Sequence, residues 1–116
     1  MKNIVEVLSS ISERKILYTN APKNYTNRVI KACQIEDYFD GIFTIEDSNF
    51  KAKPSKESMR IFINKFKIKK AYFVDDVKEN LETANQFGIS TIWLTNEVGY
   101  PSYIDKKRST RRELIT

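Results

Sequence analysis

The sequence predicts a small α/β domain on a parallel, Rossmann-like sheet with helices on both faces. Two observations carry that prediction. Short apolar, β-prone runs alternate with segments of helical periodicity, the pattern of strand–helix–strand units. Polar residues gather where those runs end, and in open parallel sheets ligands bind at the carboxyl ends of the strands.

Taken in order, residues 4–13 read as an amphipathic helix with Ile4, Leu8 and Ile11 on one face. Residues 15–19 (KILYT) form a first buried strand, punctuated by Pro22. Residues 24–34 are helical, with Val29, Ile30 and Cys33 at helical spacing. Phe39, Asp40 and Gly41 make a turn into a second strand, 42–45. A loop follows, with Pro54 near its end, and Ser55 caps a helix over 56–66. Met59, Phe62, Ile63 and Phe66 lie on one face of that helix. Residues 71–74 (AYFV) are a third buried strand ending in Asp75 and Asp76. Residues 78–87 are helical with Leu81, Ala84 and Phe87 inward, and Gly88 stands where a left-handed cap glycine belongs. Residues 90–94 (STIWL) give a fourth strand. Each crossover is expected to be right-handed. The segment after Asn96 reads as loop or a loosely held helix. On this reading 1–98 form the core and 99–116 a basic tail.

Composition narrows the class. A chain of 116 residues fits one domain, and 41% apolar with 30% charged residues is ordinary for a globular protein. No apolar run approaches the ~18 residues of a membrane span, so no membrane association is expected. The single cysteine, Cys33, excludes an internal disulfide and suits a reducing cytosol. Its plain reading is a small buried helix residue. There is no histidine, which removes the commonest general base and zinc ligand. The net charge of +5 is concentrated in Lys106, Lys107, Arg108, Arg111 and Arg112. The rest is near neutral, which argues against a nucleic-acid binder.

Three polar groups fall at strand ends. Thr19 and Asn20 end the first strand, Asp75 and Asp76 end the third, and Lys53 lies on the loop entering a helix. Thr19 and Asn20 also read as turn or cap residues, and Lys53 as a solvated loop lysine. Adjacent aspartates at the end of a buried strand repel each other unless a cation or a donor offsets the charge. Mg²⁺ suits such a pair, because it binds one or two carboxylates together with waters and phosphate oxygens. A hydroxyl beside backbone N–H groups holds phosphate, and a lysine balances charge during phosphoryl transfer. Asn80, one helical turn beyond Asp76, either points back to the carboxylates or lies exposed.

These segments resemble the haloacid dehalogenase superfamily of phosphatases. KILYTNA is similar to its second motif, with Thr19; KAKPS to its third, with Lys53; and YFVDDVKEN to its fourth, with Asp75, Asp76 and Asn80. Within the superfamily the text is most similar to the pyrimidine 5′-nucleotidase-like group, over roughly residues 5 to 95. The resemblance implies Mg²⁺-dependent hydrolysis of nucleotide phosphomonoesters. Thr19 would hydrogen-bond the phosphoryl group, with Asn20 and Ala21 as further donors, and Lys53 would balance its charge. Asp76 would contact Mg²⁺ directly, Asp75 would act as an outer or second ligand and Asn80 would hold the pair.

One departure is large. The family's first motif, D-x-D-x-T, supplies the aspartate nucleophile and the acid–base. Here the aspartates are Asp37, Asp40, Asp47, Asp75, Asp76 and Asp105, and no two are separated by a single residue. There is no histidine to activate a serine, and Cys33 falls mid-helix, far from a strand end. The chain therefore reads as a core without its first, central strand and most of its cap, inactive alone. Either it works with an N-terminal complementing chain or it is a degenerate binding protein. The residues left to pair in place of the central strand are the strand at 15–19 with that at 71–74, the segment 4–8, or a second copy of the chain. A receiver-type domain is disfavoured, because in receivers the acidic pair precedes the lysine.

Overall fold

A computed structural model describes residues 8–94 and the backbone of Lys106–Arg108. The chain divides into two compact units, the first running to Ala52 and the second starting at Lys53. All strand pairings in both are parallel.

In the first unit, β1 (Ile16–Tyr18) pairs with β2 (Gly41–Phe43), placing Ile16 opposite Gly41 and Tyr18 opposite Phe43. The rings of Tyr18 and Phe43 meet edge to face at 5.0 Å. Asp40 clasps the strand starts: its carboxylate accepts from the N–H of Lys15 at 2.8 Å, and its own N–H donates to the Lys15 carbonyl at 2.7 Å. The crossover is α1 (Lys23–Ala32) with a 3₁₀ turn at Glu36–Tyr38.

The buried face of α1 differs from the one its apolar residues suggest. Thr26 and Ile30 are buried, whereas Val29 and Cys33 are exposed. Thr26 can be buried because its hydroxyl donates to the Pro22 carbonyl one turn back, at 2.9 Å, which leaves no bare polar group. Cys33 is not a mid-helix core residue. It ends the helix, and Gln34 follows in the left-handed conformation at φ 59°. The N–H of Ile35 reaches the Ile30 carbonyl and that of Gln34 the Lys31 carbonyl, a Schellman lock with the apolar pair Ile30–Ile35 inside it.

The second unit contains α2 (Lys56–Phe66), β3 (Tyr72–Asp75), α3 (Lys78–Gln86), β4 (Ser90–Leu94) and β5 (Lys106–Arg108). The sheet order is β3-β4-β5. Ser55 caps α2 as expected, its hydroxyl accepting from the N–H groups of Glu57 and Ser58 at 3.1 and 3.3 Å. Gly88, at φ 78°, ends α3 in a second Schellman lock, with Ile89 donating to Ala84 and Gly88 to Asn85. α3 packs on β3 and β4, and α2 packs on α3. Met59, Phe62, Phe73, Leu81, Ala84, Ile89 and Trp93 form the core.

Several expectations change. β3 is not buried on both faces: Phe73 and Asp75 point inward, whereas Tyr72 is 60% exposed and Val74 is also exposed. The strand therefore alternates, as strands covered on one face do. The basic segment after Asn96 is not loop or helix throughout, because Lys106–Arg108 pairs in parallel with Ile92–Leu94. Among the described residues, the ladders within the units are β1-β2 and β3-β4-β5. Of the helix expected at 4–13, residues 8 and 9 are helical and Ser10 already turns; 4–7 lie outside the described residues.

Candidate active site

In the second unit the chain brings Lys53, Asp75 and Asn80 together. Asp75 is the last residue of β3, on the side facing the core, and is only 9% exposed. Its Oδ1 accepts from the N–H of Val77 at 2.9 Å, closing a turn that leads into α3. Its Oδ2 accepts from Lys53 Nζ and from Asn80 Nδ2, both at 3.1 Å. Asn80 is buried on α3, not exposed. Lys53 is not a solvated lysine either: the side chains of the pair are 12% and 8% exposed. Its ammonium lies 5.7 Å from the centroid of the Phe73 ring.

Lys53 is held from behind. The Lys53–Pro54 peptide is cis. The Pro54 carbonyl accepts from the hydroxyl of Thr83 at 2.6 Å, which ties the lysine loop to α3. Burial pushes the Asp75 carboxyl up, but the Lys53 ammonium, the Val77 N–H, and the hydrogen bonds from Lys53 and Asn80 outweigh it. The carboxyl stays below its ordinary value of 3.8 and remains ionised. The repulsion foreseen between the adjacent aspartates is thus offset on Asp75 by donors and a cation of the protein itself.

Asp76 has a different environment. It is exposed, and its carboxylate makes no hydrogen bond to another described residue. Its backbone carbonyl, by contrast, accepts from the indole Nε1 of Trp93 at 3.2 Å. No group of three potential metal-ligating side chains occurs among the described residues. Mg²⁺ keeps most of its waters and needs only one or two carboxylates from the protein. The solvent-facing Asp76 fits that demand.

Thr19, Asn20 and Ala21 belong to the first unit. Thr19 continues β1, its N–H donating to the Phe43 carbonyl at 2.9 Å. Its hydroxyl accepts from the Ala21 N–H at 3.0 Å. That N–H, expected as a phosphate donor, is therefore committed inside the turn, because a hydroxyl two residues back is the nearest acceptor. The hydroxyl proton of Thr19 has no acceptor among the described residues.

Three residues important to this arrangement carry no signal in the sequence. Thr83 looks like an ordinary helix residue, and its role depends on a contact 29 positions away. Phe73 and Trp93 look like strand core, and only the fold sets them beside Lys53 and Asp76.

Comparison with known proteins bears on the fold and the family. A dehalogenase crystallised with an intermediate complex matches at a TM-score of 0.79 and 16% identity, over 92% of this chain and 51% of its own. A second dehalogenase structure matches at 0.77 and 17%, over 90% and 49%. A hydrolase from Streptococcus pneumoniae TIGR4 matches at 0.71 and 25%, over 84% and 53%. The chain spans about half the length of each of these structures. The model of the haloacid dehalogenase-like hydrolases matches residues 1–94, and the chain belongs to that family.

Proposed function

We propose that the chain carries the lysine and magnesium part of a phosphomonoester hydrolase acting on nucleotides, of the pyrimidine 5′-nucleotidase type. The observation that carries this reading is the Lys53–Asp75–Asn80 cluster at the carboxyl end of a parallel strand, with Asp76 facing solvent beside it.

Charge counting gives the mechanism its sign. Lys53 contributes one positive charge, and Asp75 and Asp76 two negative. The cluster alone therefore attracts a cation and repels a phosphate. Mg²⁺ held by Asp76 would reverse that sign and would supply a Lewis acid for phosphate oxygens. Asp75 holds Lys53 in place, and the ammonium balances charge on the phosphoryl group. In the first unit, the Thr19 hydroxyl is a donor for a phosphoryl oxygen. No D-x-D occurs in the sequence, so the covalent route through an aspartyl-phosphate is closed to the 116-residue chain alone. Turnover would then need a complementing chain that supplies the nucleophile, and β3, an edge strand among the described residues, is open to pairing with such a chain or with a second copy. The lone cysteine suits a cytoplasmic setting. The lack of D-x-D equally favours a second reading, a non-catalytic binding protein of the same fold.

The test has two arms. Purified chain should not hydrolyse a generic aryl phosphate, and should bind a pyrimidine 5′-monophosphate only with Mg²⁺ present, a response lost in Lys53→Ala. Turnover abolished by Lys53→Ala would overturn the inactivity. Absence of nucleotide binding at saturating Mg²⁺ would overturn the phosphate site.

A further inference from the structure

The turn that carries Asp76 is gripped by a residue outside the family-like motifs. Trp93 stands opposite Asp75 in the β3–β4 ladder, so its side chain shares the inward face with Asp75. The indole is 2% exposed. Its Nε1–H donates to the Asp76 carbonyl at 3.2 Å, and the ammonium of Lys78 lies 5.4 Å from its ring centroid. The peptide plane between Asp76 and Val77 is thereby fixed at both ends. Its N–H is bound by Asp75 Oδ1 and its C=O by Trp93.

We infer that Trp93 is a positioning residue for Asp76: its indole N–H fixes the 76–77 peptide and so aims the exposed Asp76 carboxylate at an incoming divalent cation. This rests on the reading of Asp76 as the magnesium-facing carboxylate. The physical case is one of ordering. An exposed carboxylate on an unconstrained turn loses backbone and side-chain freedom when it binds an ion. With both ends of the 76–77 peptide already bonded, the backbone part of that freedom is reduced beforehand. Outer groups that orient ligands characteristically change metal affinity by 10–100-fold when removed. A buried tryptophan also packs the core and satisfies its N–H as a matter of course. A purely structural role would lower the melting temperature on substitution without changing cation affinity in the folded protein.

The test uses the full chain and Mg²⁺ alone, followed by calorimetry and by the emission of Trp93, the chain's single tryptophan. Trp93→Phe removes the N–H along with part of the ring. Replacement by benzothienylalanine keeps the fused ring and removes only the N–H, so it covers the case in which Trp93→Phe does not fold. Both are expected to bind Mg²⁺ about tenfold more weakly than wild type, and Asp76→Asn not measurably. In wild type, Mg²⁺ should shift the tryptophan emission. Equal affinity in wild type and the benzothienylalanine protein, with binding lost in Asp76→Asn, overturns the role of Trp93 and leaves the magnesium reading intact. Calorimetric binding without an emission change does the same. Failure of wild type itself to bind Mg²⁺ overturns the magnesium reading and this inference together.

Discussion

The carboxyl ends of the two sheets solve one problem with different chemistry. In the first unit, the segments after β1 and β2 close on themselves through single hydrogen bonds. Thr19 accepts from Ala21, and the Ala21 carbonyl accepts from Ile45. Asp47 accepts from the N–H and hydroxyl of Thr44, and Glu46 accepts from the first N–H of α1. Glu46 thus does what Pro22, the residue before α1, cannot, since proline has no side-chain acceptor. In the second unit the corresponding end holds a buried ion pair, with Asn80 and Val77 completing the coordination of Asp75. Hydrogen bonds to exposed or half-buried acceptors, Glu46 and Asp47 among them, close a loop at small cost whether or not a ligand arrives. A buried ion pair carries a desolvation cost that such bonds avoid, and that cost is the difference between the two regions.

The largest expected effect breaks that contrast directly. Lys53→Met leaves Asp75 buried without its cation and should cost about 3 kcal/mol, the lower end for removing one partner of a buried pair. Thr19→Val, its counterpart in the first unit, removes a single neutral acceptor and should cost about 1 kcal/mol. Urea denaturation of both proteins provides the measurement. Similar losses for the two would mean that water reaches the Lys53–Asp75 pair and the two regions are energetically alike.

The contrast was only half legible beforehand. β4 and α2, with its Ser55 cap, match their expected ranges, because an apolar run and a capping serine are local signals. Lys53, Asp75 and Asn80 could be named from motif spacing. What spacing could not give was burial. Lys53 and Asn80 are polar residues in segments that read equally well as solvent-facing, and only the packing of α3 on β3 encloses them. The exposed side of β3 was missed for the converse reason: AYFV looks the same whether one face or both are covered, and Tyr72 tolerates either. The strand at Lys106–Arg108 was missed because its residues carry no β-prone apolar signal.

Acid should sharpen the comparison next. The Asp75 carboxyl is held below its ordinary value of 3.8 in the folded chain. Its contribution to stability is therefore complete above about pH 4 and is lost as pH falls through the folded value. Glu46 in the first unit is also lowered. Its own backbone N–H does most, slight desolvation opposes this, and the Lys23 N–H and Thr44 add to the lowering. Glu46 is exposed, however, so solvent screens what its ionisation contributes. Asp75→Asn should flatten the fall in melting temperature between pH 5 and pH 3, whereas Glu46→Gln should leave it nearly as in wild type. The reverse ranking would place the acid-sensitive contacts in the first unit.

The smallest effect compares how the two units end a helix. α1 and α3 close with the same Schellman lock, but the left-handed position is Gln34 in one and Gly88 in the other. A side chain in that conformation costs roughly 1–2 kcal/mol, because Cβ approaches the following carbonyl. Glycine avoids the clash but gives up roughly 0.5–1 kcal/mol through the greater freedom of the unfolded chain. Gln34→Gly should therefore stabilise by about 0.5 kcal/mol, and Gly88→Ala should destabilise by a similar amount. Nothing lies within 4 Å of a Cβ added at Gly88, so backbone strain alone sets the second effect. Opposite signs of comparable size in thermal melts are the expected result. A much larger loss at Gly88 would show that α3, which supplies Asn80 to the ion pair and Thr83 to the lysine loop, transmits strain at its carboxyl end back to the charged cluster.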